Sequence, residues 1–552
     1  MIQKFIQEGD LNYEQAKKIS NSRLNFKPSG IYYCENEEDI IDVLKYCNEN
    51  NFKFRIRSGG HHHEGASTGD DVIIIDTTKM KLPTNCLDSI KNKIVNANNQ
   101  IAIDTCSNTM HVMPGVKLDD IYKFLKKNNY ILPGGGCESV NIGGLVQGGG
   151  WGPYSRLYGM TCDALIQAKI VVKKCENFEV ITISNNCIHK DLFKAIKGSG
   201  GGNFGIITEL KFHVYPLSVE GTIGSITTIK ATYSNIEDAK DVAKKWMKNA
   251  HKVDNRITSF ARCTPRSLDS NKKSIEPQFV LTAYITDQIS SEEGALKLLH
   301  NALELFPTIL GDKDIVEYHN NTIEINSQFF TPDAKNTKNL NNSNKLNLAA
   351  HKKQHETFNS FQNSNHLIQA PSSTCDTPHP HKISSSFPKI KTEVDIDKLV
   401  EDIYNYMNKK NKYINPEISA YISLHGMGGK MNENHMERSF HYGNKPFMLQ
   451  IQAWWEETSN PNKENYLNWV EEFRKELTTH TEGCFVNFPD YNIVKENDEF
   501  KFSDKPILNN NEREKFLKII YKESLFEELQ EVKKKYDKSN FFNHTMSIPL
   551  KK

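Results

Sequence analysis

The feature that most limits what this chain can fold into is a set of three glycine clusters. They read R-S-G-G-H-H-H-E-G at 57–65, P-G-G-G-C-E-S-V-N-I-G-G-L-V-Q-G-G-G-W-G at 133–152, and K-G-S-G-G-G-N-F-G at 197–205. Glycine lets backbone N–H groups come close to a ligand and accepts turns of positive φ. Successive N–H groups in such turns form concave nests suited to a pyrophosphate. No Lys-Ser/Thr pair follows the glycines, so a P-loop does not fit. Nor is there one G-x-G-x-x-G turn joining a strand to a helix, with an acidic residue roughly 20 positions on, as a dinucleotide fold of that kind needs. Any single cluster is accounted for by tight turns. All three together, with a histidine and a cysteine among the glycines, point to a large phosphate-bearing ligand such as FAD threaded through one domain.

The surrounding elements are of mixed type. The spacing of Ile40, Val43, Leu44 and Cys47 predicts an amphipathic helix over 37–49, with Asn36 as its cap. A strand follows, with Phe52, Phe54 and Ile56 alternating against Lys53, Arg55 and Arg57, and it runs straight into Ser58-Gly59-Gly60-His61. Leu118, Ile121, Tyr122 and Leu125 predict a helix over 118–127, and 165–173 and 278–285 read as strands. A further helix at 521–536 carries Leu525, Leu529, Val532 and Tyr536 on one stripe. Residues 331–385, rich in Asn, Ser, Lys and His, read as a flexible insertion with order resuming near 388, and His379-Pro380-His381 within it as loop, not a metal site.

Length and charge narrow the function. With 552 residues, two or three units are expected. Lys and Arg number 69 against 68 Asp and Glu, which gives no electrostatic case for nucleic acid or an anionic membrane as partner. The first residues lack the apolar core of a signal peptide, and no stretch approaches the ~18 apolar residues of a membrane span. A cytoplasmic location is the default expectation. The 11 cysteines are scattered and include no CxxC pair, so neither a zinc knuckle nor a redox dithiol is expected, and no metal is assigned.

At the glycine segments the sequence resembles the berberine bridge enzyme-like FAD-linked oxidases, within the vanillyl-alcohol-oxidase, PCMH-type group. The resemblance rests on R-S-G-G-H at 57–61, G-C-x-S-V-x-I-G-G at 136–144, G-G-G-W-G at 148–152, R-x-Y-G at 156–159, the run from 191 to 208, N-F-P-D at 487–490, and the tail at 534–542 followed by S-I-P at 547–549. It implies FAD attached covalently twice, through His61 and through Cys137. An imidazole nitrogen and a thiolate are the natural side-chain nucleophiles for an electron-poor ring, which agrees with that assignment. It also places Arg57, Ser58, Gly59, Gly60, His62, Val140, Gly143, Gly144, Gly149, Gly150, Gly205, Ile206 and Asn487 on the cofactor side. A three-histidine metal site is a poorer reading of 61–63, because neighbours on an extended chain point to alternate faces.

The catalytic side departs from the family. The implied reaction is hydride removal from a substrate carbon, and an alcohol substrate also needs a base for its hydroxyl proton. Two positions where such enzymes place a tyrosine are Trp151 and Phe488 here, and neither side chain accepts a proton. On the strand 447–455, alternation puts Met448, Gln450 and Gln452 on one side, with Gln450 at the family's polar position. His63, two residues past the first tether, is the replacement base by chemistry, with a polar wall residue as the alternative. The resemblance also implies that the residue three past Cys137, here Val140, lies where oxygen must reach the flavin, a valine leaving room that a leucine would fill.

The expectation is therefore a two-domain α+β fold: an FAD-binding domain at 1–217, an antiparallel-sheet substrate domain backed by helices at 218–484, and a C-terminal segment at 485–552 completing the first. The expected function is oxidation of an alcohol, a carbohydrate or secondary metabolite, with oxygen reduced to hydrogen peroxide. An amine or alkaloid oxidase or oxidative cyclase, and a flavinylated binding protein with a decayed site, are the alternatives.

Overall fold

The computed structural model describes residues 5–217, 223–233, 235–267, 275–289, 298, 301–302, 305, 322–330, 378–409, 419–456, 460, 463–495 and 503–551. Strands Gly30–Tyr33, Ile73–Asp76 and Phe54–Arg57 form a parallel three-stranded sheet in that spatial order. Helix Glu37–Glu49 is the crossover between its outer strands. Asn36 caps it by accepting from the Asp39 N–H, and Ile40, Val43, Leu44 and Cys47 are wholly buried. Each such burial contributes about 1.5–3 kcal/mol for the larger side chains. The helix owes this to its position between the parallel sheet and a second, six-stranded antiparallel sheet, in which it packs on strands Leu165–Lys174 and Asn177–Ser184.

Two details of the sequence pattern differ from expectation. Phe52 lies outside the strand and is exposed, and Arg57 is buried, not solvent-facing. The reason is chemical: Arg57 Nε donates to Asp76 Oδ2 at 2.6 Å across adjacent parallel strands, so the charge is paired inside the core.

A third, eight-stranded antiparallel sheet runs in the order Thr322–Phe330, Ile223–Tyr233, Ile275–Ile289, Ile257–Ser267, Ser419–Gly426, Phe447–Trp454, His381–Pro388, Thr481–Glu482. On strand Phe447–Trp454 the odd positions Phe447, Leu449, Ile451 and Ala453 join a core shared with helices Ile236–Asn249, Glu393–Lys409 and Lys463–Glu476. The even positions Met448, Gln450, Gln452 and Trp454 face the other way, as the alternation predicts. Gln450 and Gln452 are buried all the same, because that face is covered by the glycine-loop half of the molecule.

The first part of the expected insertion, 331–377, lies outside the described residues. Its end does not fit a loop: His381–Pro388 is an internal strand of the large sheet, pairing with Phe447–Trp454 through His381↔Trp454, Ile383↔Gln452 and Ser385↔Gln450. A serine-rich strand can hold such a place because Ile383 and Phe387 join the apolar packing while its polar groups find partners. Ser385 Oγ, for instance, donates to Phe488 O at 2.8 Å and accepts from the Phe485 N–H at 2.9 Å.

The last helix spans Asn510–Tyr536 and is longer than its apolar stripe suggests. It starts in a capping box between Asn509 and Glu512 and is broken at Lys522, where φ is 59°. After the break Leu529, Val532 and Tyr536 are buried as expected, Leu525 is partly buried against the same core, and Phe526 is buried beside them. They pack in one core with residues of the first 215 positions. Lys533, fully buried, forms an ion pair with Asp537 at 2.7 Å and donates to Asn203 O at 2.6 Å, tying the chain's end to the third glycine loop.

Candidate active site

One cavity collects the unusual segments. Its first wall is made of the loop Ser58–His63 after strand Phe54–Arg57, residues 135–147, where a loop runs into the short helix Ile142–Gln147, and the loop 199–203. Its second wall is the inward face of the large sheet, carrying Phe260, Tyr421, Ser423, His425, Gln450, Gln452, Trp454 and Ile383. Asn487 and Phe488 close one side, and Phe542, His544 and Met546 another.

Of the residues singled out in the sequence, Ser58, Gly59, Gly60, His61, His62, His63, Cys137, Val140, Gly144, Trp151, Gln450, Asn487 and Phe488 line this cavity. Arg57 does not, being committed to Asp76; Arg55, two residues earlier, does. Gly143, Gly149, Gly150, Gly205 and Ile206 lie behind the lining. Gly143 and Gly205 serve close packing, since an added Cβ would sit 2.7 Å from Pro114 O and 2.3 Å from Val171 O. The histidine run also departs from the alternate-face expectation: all three rings reach the lining, because the segment turns at 63–64 and does not run extended.

The loop wall suits a flavin dinucleotide. At Gly144 a Cβ would meet nothing within 4 Å and would stand in the cavity itself. Arg55 Nε, Ser199 Oγ and Asn141 Oδ1 are buried polar atoms with no protein partner among the described residues. A ligand bearing both donors and acceptors, such as pyrophosphate and a flavin ring, answers that need. Asn141 also joins two loops, donating to Gly115 O at 2.5 Å and Ser58 O at 3.3 Å.

The histidines have distinct positions. His62 Nδ1 accepts from the Glu64 and Ala66 N–H groups at 3.3 and 3.1 Å, with Nε2 3.1 Å from Met546 Sδ, and burial pulls its pKa down to about 4. His63 Nδ1 lies 2.8 Å from His381 Nε2, and its ring packs on Phe488 at 5.7 Å. Burial, with His62, His61 and Lys382 nearby, lowers the His63 pKa to about 3. His425 Nε2 lies 3.0 Å from Gln450 Oε1, and its ring stands edge-on to Trp151 at 4.5 Å. Burial takes its pKa to about 3, against the raising effect of Gln450. Trp454 Nε1 donates to Gln452 Oε1 at 2.9 Å, and Gln452 Nε2 to Ser423 Oγ at 3.3 Å.

Behind the His63–His381 pair is a buried charge cluster. Lys382 is bonded to Glu64 and lies 2.6 Å from Asp490, and Arg23 lies 3.3 Å from Glu64. These charges satisfy one another and leave the cavity uncharged but for Arg55: no aspartate, glutamate or lysine is among its described lining residues.

Sequence reasoning found Gln452 beside Gln450 but missed His381, His425 and Tyr421. His379-Pro380-His381 was visible but set aside as loop; Tyr421 and His425 sit at alternate positions of Ser419–Gly426, a signal that shows only once the neighbouring strand is known.

A family model described as "FAD binding domain" matches residues 28–89 and 89–179, and one described as "Berberine and berberine like" matches 484–549. The chain is 32% identical over 267 residues to an FAD-linked oxidoreductase of Bacillus subtilis (strain 168), a match spanning 48% of this chain and 53% of that relative. It is 24% identical over 540 residues, 95% of this chain and 84% of the other, to a monolignol oxidoreductase of Arabidopsis thaliana. The structure of BBE-like #28 from Arabidopsis thaliana superposes with a TM-score of 0.71 at 21% identity, covering 99% of this chain and 98% of that one. Among the described residues no helix is long and apolar enough to cross a membrane.

Proposed function

We propose that this chain, which belongs to the berberine bridge enzyme-like FAD-linked oxidases, holds its FAD covalently through His61 and Cys137 and oxidises a neutral hydroxyl compound. The observation that carries the reading is the composition of the one cavity. The two expected tethers line it from separate loops, and across from them stands a wall of aromatic rings, amides and the neutral His425, with no carboxylate among the described lining residues. A cationic amine would bury its charge there without a counter-ion, at a cost of several kcal/mol. An aromatic alcohol stacks on Trp454, Tyr421 or Phe260 and hydrogen-bonds to Gln450 or Gln452 instead. The likeness to a monolignol oxidoreductase supports the same class.

Bound FAD supplies the acceptor for a hydride. The protein's own tasks are to hold the hydroxyl, exclude water and take the hydroxyl proton. Trp151 donates its indole N–H to Gly426 O at 3.3 Å and Phe488 has no polar atom, so neither does this. His62 is held at both ring nitrogens. We assign the proton to His63, neutral at physiological pH, with Tyr421, the phenol in the cavity, as the rival. Gln450 and Gln452 orient the substrate oxygen. Val140, part-buried beside Cys137, leaves the apolar space in which dioxygen reaches the reduced cofactor.

Acid-precipitated protein should remain yellow, and a panel of aromatic alcohols, sugars and amines should release hydrogen peroxide with the first class. Flavin found wholly in the supernatant would overturn the double tether. Turnover confined to amines would overturn the substrate class, and no turnover on any member would favour a flavin-bearing binding protein.

A further inference from the structure

We propose that His381 is a positioning residue that locks His63 into the tautomer with Nδ1 protonated, leaving His63 Nε2 as the proton acceptor. The inference rests on His63 being the base, as argued above, and adds which nitrogen acts and what selects it.

The argument follows from what each group can do. The His379 carbonyl lies 2.9 Å from His381 Nδ1, and a carbonyl only accepts. His381 Nδ1 therefore carries the hydrogen. In a neutral ring the other nitrogen is then an acceptor, so His381 Nε2 offers a lone pair. His63 Nδ1, 2.8 Å away, must be the donor, and its Nε2 is left unprotonated. A backbone oxygen thus fixes the state of two rings in series.

The geometry is held rather than incidental. Asn21 Nδ2 donates to His63 O at 2.7 Å and to His381 O at 3.2 Å, while Asn21 Oδ1 accepts from the His381 N–H at 3.2 Å. One amide clamps both backbones. Arg23 Nε adds a bond to His381 O at 3.1 Å, and the Trp454 ring covers the His381 ring at 4.1 Å.

Both rings are kept neutral by what faces them. Burial dominates for each, and His61, His62, Lys382 and Arg23 push in the same direction. The carboxylates nearby, Glu64 and Asp490, are already engaged by Arg23 and Lys382. A carboxylate in the place of His381 would raise the pH at which His63 protonates and so favour its charged form. A neutral acceptor orients the ring without charging it. On reaction the substrate O–H bond breaks, its proton forms an N–H bond at His63 Nε2, and the Nδ1–H remains bonded to His381. The pair released from the O–H bond would form the carbonyl as the C–H bond breaks, and FAD, when bound, would supply the acceptor for that hydrogen and its electron pair.

The test uses flavin-loaded protein with 15N-labelled histidine, the His63 signals being assigned by their loss in His63→Gln. Wild type should show His63 Nδ1 protonated and Nε2 bare at pH 7. His381→Gln, whose amide can accept from His63 and donate to His379, should keep that signature. His381→Phe should lose it, giving mixed tautomers while the flavin stays bound. His381→Asp should raise the pH at which His63 protonates. His63 protonated at Nε2 in wild type, or an unaltered His63 signature in His381→Phe, overturns the proposal. The outcome in which the signature is as expected but His63→Gln turns over normally with cinnamyl alcohol, while Tyr421→Phe does not, is different. It sinks the base assignment and leaves the lock standing.

Discussion

The loop wall and the sheet wall of the cavity place their side chains by different means. The loop wall draws on three short stretches of chain, 58–63, 135–147 and 199–203, in which glycines leave the backbone free to approach a ligand closely. The sheet wall takes one or two side chains from each of several strands. Row by row, Phe260 stands beside His425 and Met448, then Ser423 beside Gln450 and Ser385, then Tyr421 beside Gln452 and Ile383. A loop wall fails by losing a single residue that touches the cofactor. A sheet wall fails by losing register, since a slip of one residue would turn every polar group toward the helices. The first is suited to hold a fixed cofactor, and the second to vary its lining without altering the fold.

The sharpest way to break the comparison is at the tethers. In His61→Ala with Cys137→Ala, no flavin should stay with acid-precipitated protein, whereas each single change should leave it bound; absorbance of the redissolved pellet decides. Equal loss in a single variant would mean that only one residue is attached. A second, smaller effect lies where the walls meet. Lys382, on the sheet strand, pairs with Glu64 of the histidine loop and with Asp490. Lys382→Met removes the cation shared by two buried carboxylates, leaving Glu64 with Arg23 and Asp490 with Arg474 at 3.8 Å, and should cost up to about 3–5 kcal/mol, read as a lowered urea midpoint. An unchanged midpoint would show that the walls dock without this cluster.

How far the sequence reveals each wall follows from the same contrast. The loop wall was legible because its residues are neighbours in the chain: the runs around His61 and Cys137 could be read as motifs. The helices at 37–49 and 118–127 were legible for the same reason, their faces being set by local period. Gln450 and Gln452 were legible as a pair on one strand, but not His425 opposite, because cross-strand partnership is not written in either strand alone. His381 was hidden further, since a polar strand buried on both faces has the composition of a loop. Arg57 was misplaced because alternation assigns a face, not a partner, and Asp76 makes burial of the charge tolerable.

Between the walls, His63→Gln should lower kcat about 10²-fold or more, the range of a lost general base. It should leave Tm near that of wild type. A smaller loss tests the loop wall's apolar side. Val140→Leu adds bulk beside Cys137, so reoxidation of photoreduced protein in air should slow about tenfold, as an added barrier of about 1.4 kcal/mol would give. Stopped-flow mixing measures this without a substrate. Rapid, unchanged reoxidation would remove Val140 from the oxygen path; reoxidation over minutes in wild type itself would point to another electron acceptor.

The smallest effect separates the walls by pH. His62 and His63 on the loop side and His425 on the sheet side have pKa values lowered by burial, to about 4, 3 and 3. Unfolded, each titrates near 6.5. Between those values the unfolded chain binds more protons than the folded one, so unfolding free energy rises with pH there. Their stabilising effect is complete above about pH 6.5 and is lost as pH falls toward the folded values. The lowered carboxyls of Glu209 and Glu482, both at about 2, act in a separate window, below about pH 4.5. Tm should therefore fall between pH 7 and pH 5, before any of those carboxylates is protonated. Replacing one histidine by a group that does not titrate should flatten that slope, by at most about 2 kcal/mol at pH 5. If His425→Gln flattens it while His62→Gln does not, the sheet wall is where acid enters; the reverse places the weak point in the loop. A slope that neither variant changes would mean that the cavity admits water freely enough to protonate these rings at their ordinary pKa.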